Sequence, residues 1–111
     1  MRKSLRIDFV ELHILHHASE DEVYGLWMLE ELRHHGYRLS VSQLYPRFAR
    51  LRRAGLLARR RAVVNGKVRK YYRLTARGRR YLTQQKRRLI ELVSEALSVD
   101  ELRQAMGRRK T

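Results

Sequence analysis

The chain contains no cysteine, which excludes a disulfide framework and any thiolate metal site and fits a reducing compartment. No apolar run approaches the roughly 18 residues of a membrane span. Met1-Arg2-Lys3 makes a basic start, but no apolar segment follows it as in a secretory leader. A cytoplasmic protein without a membrane partner is the expectation. Catalytic sets are missing too. There is no nucleophile with a base and an orienting group, no carboxylate pair outside helix caps, and no glycine-rich phosphate loop, because Asn65-Gly66-Lys67 reads as a turn. Neither an enzyme nor a cofactor is expected.

The absence that says most is that of acids. Between Glu31 and Glu91 there is no Asp or Glu, whereas nineteen Lys or Arg fall in that interval. Over the whole chain 26 basic residues face 11 acidic ones, a formal charge of +15. A one-signed block of this length repels itself, and on a patterned sequence it reads as a surface for a polyanion. A solvated basic face or a patch for anionic lipid would carry the same charge, so the patterning has to separate them.

With 111 residues, 43% of them hydrophobic, one domain with a modest core is expected. The first helix should run from about Leu5 to Ala18, and its apolar residues cover more than one stripe, so part of it should face a partner subunit. Ser19 with Glu22 has capping-box spacing, which predicts a second helix from Glu20 or Asp21 to His35, stopped by Gly36. A third follows, capped by Ser40 or Ser42 and ending at Ala54 before Gly55. Pro46 is best tolerated near a first turn, which favours the start at Ser42. Two such helices around a short glycine-containing connection make a helix-turn-helix.

Beyond Gly55 the period changes. Asn65-Gly66 is a strong type I′ hairpin signal. A two-residue loop sets Val63 opposite Val68, Arg61 opposite Lys70, Arg59 opposite Tyr72 and Leu57 opposite Leu74, giving an apolar base and a basic tip. Like charges facing each other on a sheet are unfavourable, so the Arg61/Lys70 pair makes sense with phosphate over it. From Ala76 a long helix continues to about Leu97. Ser98 and Glu101 predict a last short helix ending near Met106-Gly107, followed by a basic tail. The expected organisation is residues 1–75 for DNA binding, 76–107 for dimerisation and 108–111 as the tail. The fold class is mainly α with a two-stranded β wing: a winged helix-turn-helix plus a long C-terminal dimerisation helix.

The stretches LSVSQLYPRFARLRRAGLL and KYYRLTARGRRYL make this specific. The chain resembles the PadR family of transcriptional regulators, whose recognition helix carries Leu-Tyr-Pro and whose wing strand ends in Tyr-Tyr-x-Leu-Thr-x-x-Gly. The resemblance covers roughly residues 12–97 and is to the branch with an abbreviated C-terminus. One departure is at Gly25, followed here by Leu26 where the family usually has Gly-Tyr. The resemblance implies a homodimeric, sequence-specific DNA-binding regulator with a repressor as the expected output.

Helix geometry refines the site. Leu44, Phe48 and Leu51 share the core face. Ser42, Gln43, Pro46, Arg50 and Arg53 are expected opposite, with Tyr45 and Arg47 on the flanks. The N-terminal residues of such a helix lie nearest the bases in a major groove. The DNA-binding set is therefore Ser40, Ser42, Gln43, Tyr45, Pro46, Arg47, Arg50 and Arg53 on the helix, with Arg61, Asn65, Gly66, Lys67, Arg69 and Lys70 on the wing. Leu5, Phe9, Leu12, Leu89, Ile90, Val93 and Leu97 form the expected dimer interface. Tyr71, Tyr72 and Trp27 read as packing residues. His13, His16 and His17 share a helix face with metal-ligand spacing, but a polar interface is the simpler reading, and no metal is assigned. Trp27 and these histidines leave a small-molecule or metal effector open. Two rival functions remain: an architectural DNA binder without strong sequence preference, and a protein-interaction module using the first and long helices.

Overall fold

The first helix starts later than its apolar run, because Asp8 caps it. In the computed structural model, which describes residues 5–107, α1 spans Phe9–Glu20. The Glu11 amide donates to Asp8 Oδ1 at 2.9 Å, and the Asp8 amide donates back to Glu11 Oε1 at 3.2 Å. This is a capping box with an aspartate as its first member. Ser19, expected as the next cap, instead lies in the last turn of α1, where its hydroxyl donates to the His16 carbonyl. The residues after it are extended: β1 (Val23–Tyr24) precedes α2 (Gly25–His34). The expected start of the second helix at Glu20 or Asp21 is thus corrected by four to five residues.

Gly36 ends α2 as anticipated. It takes φ +87°, and the Gly36 and Tyr37 amides donate to the Arg33 and Leu32 carbonyls at 3.0 and 2.9 Å, the paired bonds of a Schellman ending. α3 (Val41–Arg53) is capped by Ser40, so Pro46 is its sixth residue and not part of the first turn. The missing proline N–H falls opposite the Ser42 carbonyl on the exposed side of the helix, where water can take its place, and this is how the helix tolerates it. Gly55, at φ +80°, closes α3 in the same manner.

β2 (Leu57–Val64) and β3 (Lys67–Leu74) pair antiparallel. The register is the expected one, with Val63 opposite Val68, Arg61 opposite Lys70, Arg59 opposite Tyr72 and Leu57 opposite Leu74. Asn65 and Gly66 both have positive φ, as a type I′ turn demands. The sheet has a third strand, since β1 pairs Val23 with Tyr72 and Tyr24 with Tyr71. Val23 and Tyr24 are too short a run to announce a strand by themselves.

α4 (Ala76–Ala96) and α5 (Val99–Gly107) complete the described residues. Thr75 caps α4 by accepting the Gly78 amide at 2.9 Å, and its hydroxyl donates to the Gly55 carbonyl at 2.6 Å. A Cβ on Gly78 would stand 2.2 Å from the Leu56 carbonyl oxygen, so Leu-Thr-x-x-Gly is a docking motif that seats α4 on the end of α3 and the start of β2. Ser98 and Glu101 exchange the expected capping bonds at 3.0 and 3.1 Å. The basic tail, residues 108–111, lies outside the described residues. Ile14, Leu15, Met28, Leu32, Leu44, Phe48 and Leu51 are fully buried at the centre, and the Phe48 ring stacks on Tyr72 with centroids 4.1 Å apart. This core unites the three N-terminal helices with the base of the hairpin.

Candidate nucleic-acid interface

The acids that precede the acid-free block reach across to it. Asp8 pairs with Arg47, Glu11 with Arg50 at 2.6 Å, and Glu22 with Arg60 at 2.7 Å. Glu11 is only 5% exposed, and Arg50 also donates to the Arg6 carbonyl. Arg50 therefore turns toward α1 and not outward, which corrects its expected place opposite the core. At 100° per residue it lies three positions on from Arg47, on the flank that α1 covers. Both arginines hold α3 against α1. Asp8 sits below the ordinary carboxylate range: burial pushes it upward, but hydrogen bonds from Arg47 and the Glu11 amide outweigh that. The Arg60 hydrogen bonds likewise hold Glu22 down.

Of the α3 residues expected outward, Ser42, Gln43, Pro46 and Arg53 are exposed, as are Val41 and Arg52. Ser40 is the cap, and its hydroxyl lies 2.9 Å from that of Ser42. Gln43 is exposed, and its Oε1 accepts the Ser40 amide at 2.9 Å, so this residue expected at the DNA also caps α3. Tyr45 is half-buried against α2. A Cβ on Gly25 would stand 2.2 Å from its hydroxyl, which explains the glycine there and ties Tyr45 to helix packing.

On the wing, Arg61, Asn65, Gly66 and Lys67 are exposed, whereas Arg69 and Lys70 are half-buried. The Arg69 guanidinium lies over the Tyr24 ring at 4.1 Å and Arg60 over Tyr71 at 4.5 Å, so one face of the sheet is a ladder of cations on tyrosines. Tyr72 packs inward as expected. A cleft of about 540 Å³ separates the wing from the start of α2, bordered by Tyr24, Gly25, Tyr45, Lys67 and Lys70. No side chain caps α2, and Gly25 and Leu26 of its first turn line this cleft together with Lys67 and Lys70. The outer face of α3, this cleft and the wing tip carry positive charge and amide donors.

The residues expected to bind a second copy separate into two groups. Leu5 precedes α1 and packs on the chain's own core, with its carbonyl accepting the Tyr81 hydroxyl at 3.1 Å; this corrects its assignment to a partner face. Phe9 is 59% and Ile90 65% exposed. Phe9, Leu12, Leu89 and Leu92 line a groove of about 420 Å³ between α1 and α4. Val93 is half-buried and Leu97 exposed. Trp27, expected in the core, is 39% exposed and meets the His17 ring edge-on at 5.5 Å. His13, His16 and His17 are not one constellation. His16 lies 3.5 Å from Glu20, whereas His13 and His17 gather with His35, a residue the sequence reading left out because it lies on another element.

Three helices followed by a hairpin wing that shares their core define a winged helix-turn-helix protein. The chain belongs to the transcriptional regulator PadR-like family, whose model matches residues 14–84. It is 50% identical over 88 residues to Transcriptional regulator Rv3488 of Mycobacterium tuberculosis, covering 79% of this chain and 82% of that one. The crystal structure of a PadR family transcriptional regulator from Eggerthella lenta superposes with a TM-score of 0.70 at 32% identity, over 77% of this chain and 75% of that one. The fold is shared also with Bacillus subtilis PadR in complex with operator DNA, at a TM-score of 0.63 and 22% identity, over 69% of this chain and 46% of that one.

Proposed function

We propose that the chain acts as a homodimeric, sequence-specific repressor that lays α3 in the major groove of double-stranded DNA and rests its wing on the flanking backbone. The observation that carries this is the division of the arginines. Arg47, Arg50 and Arg60 are paired to acids, while Arg53, Arg61 and Lys67 stand exposed on the surface that the helix-turn-helix presents. In this reading Ser42 and Arg53 approach base edges or adjacent phosphates, and the wing lysines and first α2 amides take phosphates. Gln43 can read a base by releasing its cap. Arg47, Arg50 and Tyr45 position α3 without touching DNA. The exposed faces of α1 and α4 pair across a two-fold axis, which sets the two α3 helices about one helical turn, or roughly 10 base pairs, apart.

The commitment of Gln43, Arg47 and Arg50 to the protein itself leaves few side chains for bases, and that favours the architectural reading as the second one. Selection of bound fragments from random DNA separates the two. A preference of ~10³ or more for a two-fold site over random sequence supports the regulator, and a preference under ~10-fold supports the architectural binder. A lowered transcript yield from a promoter overlapping the selected site checks the repressor assignment.

A further inference from the structure

A buried nitrogen without a hydrogen bond marks a second feature, where α1 meets the end of α2. His17 Nε2 is buried and makes no hydrogen bond. His13 and His17 are one turn apart on α1, and His35, the residue capping α2, lies beside them with ring centroids 4.6 Å from His13 and 5.9 Å from His17. One ring nitrogen from each of the three falls within 4.8 Å of the other two. Glu31, one turn before His35, brings its Oε1 to 3.4 Å from His35 Nε2 and 3.7 Å from His17 Nε2. Trp27 and Tyr37 border the group, with Tyr37 at 5.4 Å from His13. We propose that His13, His17, Glu31 and His35 bind one divalent transition cation of the zinc type, joining α1 to the end of α2.

The donor set decides the class of ion. Three imidazoles and one carboxylate suit zinc, cobalt or nickel, whereas magnesium and calcium select oxygen ligands. Zinc takes imidazole nitrogens at about 2.0–2.1 Å, so tetrahedral ligand atoms stand roughly 3.3 Å apart. The Glu31 contacts are already near that spacing. The imidazoles need to close by about 1.5 Å at most, which side-chain rotation supplies, His35 being exposed at a helix end. Burial lowers the affinity of His13 and His17 for protons, which leaves their lone pairs open to a metal. Ring stacking explains the packing of His13 on His35, but it leaves His17 Nε2 without a hydrogen bond and with only the Glu31 carboxylate at 3.7 Å, and the cation supplies the missing partner.

The site stands on the folded chain and does not rest on the DNA reading. The test is therefore metal binding itself, on tag-free protein stripped with a chelator. Zinc is titrated in competition with a chromophoric chelator, and cobalt(II) by its visible absorption. The expected result is one ion per chain, with the intense cobalt bands of a tetrahedral site. His17→Gln and His35→Asn should each weaken zinc by more than the ~10–100-fold that loss of an outer-shell partner costs. His34→Ala and His16→Ala should change it by less than ~3-fold, since His34 points to Glu30 and His16 to Glu20. His35→Asn removes a partly exposed ring at a helix end, and far-UV circular dichroism checks that the fold is retained before titration. Absence of saturable zinc binding by the wild type below ~1 mM, or unchanged binding in both His17→Gln and His35→Asn, overturns the site. Loss of binding in His16→Ala equal to that in His35→Asn overturns it as well, by moving the ion to the His16, His17 and Glu20 group.

Discussion

The chain up to Leu82 and the chain after it use apolar residues in opposite ways. In the first region Ile14, Leu15, Met28, Leu32, Leu44, Phe48 and Leu51 are fully buried, and Leu82 is the last buried residue in the described chain. In the second, Ile90 is 65%, Leu92 56% and Met106 68% exposed. Charge follows the same division. The acids of the first region cross to Arg47, Arg50 and Arg60, whereas Glu91, Glu95 and Asp100 lie on exposed helix surface. A contiguous apolar face on an otherwise polar helix marks an association surface. The first region thus folds on contacts within the chain, and the second leaves its apolar residues at the surface, as the proposed dimer requires.

Substitutions in the two regions should therefore act on different equilibria. Phe48→Ala empties the centre of the first region and removes the stack on Tyr72, and should lower unfolding stability by ~3–5 kcal/mol, measured by urea unfolding. Ile90→Ala should change it by less than ~0.5 kcal/mol at concentrations where the chain is monomeric. Similar losses from both would erase the distinction. Leu89→Glu combined with Val93→Glu places two charges in the exposed face of α4, and sedimentation equilibrium should show self-association weakened by at least ~100-fold while the near-ultraviolet spectrum of the first region persists. A dimer of unchanged strength would place the interface elsewhere.

Within the first region the arginines of α3 sharpen the same contrast. Arg50→Ala strands the buried carboxylate of Glu11 and should cost about 1–2 kcal/mol, a figure kept low because the Arg50 side chain is itself 37% exposed. Arg53→Ala should leave stability unaltered and weaken DNA binding instead, which fluorescence anisotropy would measure. A stable Arg50→Ala protein that has lost only DNA affinity would return Arg50 to the interface.

The smallest effect concerns acid. Asp8, whose ordinary value is 3.8, is held lower in the folded chain, so the unfolded state takes up its proton first as pH falls. Its stabilisation is complete above the unfolded value and disappears as pH drops through the folded one. Asp8→Asn should accordingly melt a few degrees below the wild type at pH 6 and converge with it only once the pH has fallen below the lowered folded value of Asp8. A difference that persists undiminished at that acidity would assign the effect to helix capping alone.

Residue order by itself determined the elements whose causes lie within a few positions. Asn65-Gly66 dictates a turn by its backbone preferences, and that turn dictates every pair of the hairpin. Gly36 and Gly55 end their helices, and Ser98 with Glu101 starts one, through bonds that span three to five residues. The cap that Thr75 makes to the Gly78 amide is of this local kind, whereas the seat of both residues on Gly55 and Leu56 joins elements about twenty residues apart. Even at short range the Asp8–Glu11 box went unread, because Asp8 lay within the expected helix, and Pro46 tipped the choice of cap from Ser40 to Ser42. Only the tertiary structure decided which face of α3 meets α1, and hence that Arg50 serves Glu11 and Arg53 is left for the surface. The same holds for Val23 and Tyr24, which are a strand because Tyr71 and Tyr72 offer an unpaired edge. It holds for His35, which joins His13 and His17 only after α2 folds back across α1. Helical angles and turn preferences are properties of neighbouring residues. The partner of a flanking arginine, a two-residue strand or a lone histidine is set by what lies opposite, and that is known only once the chain has packed.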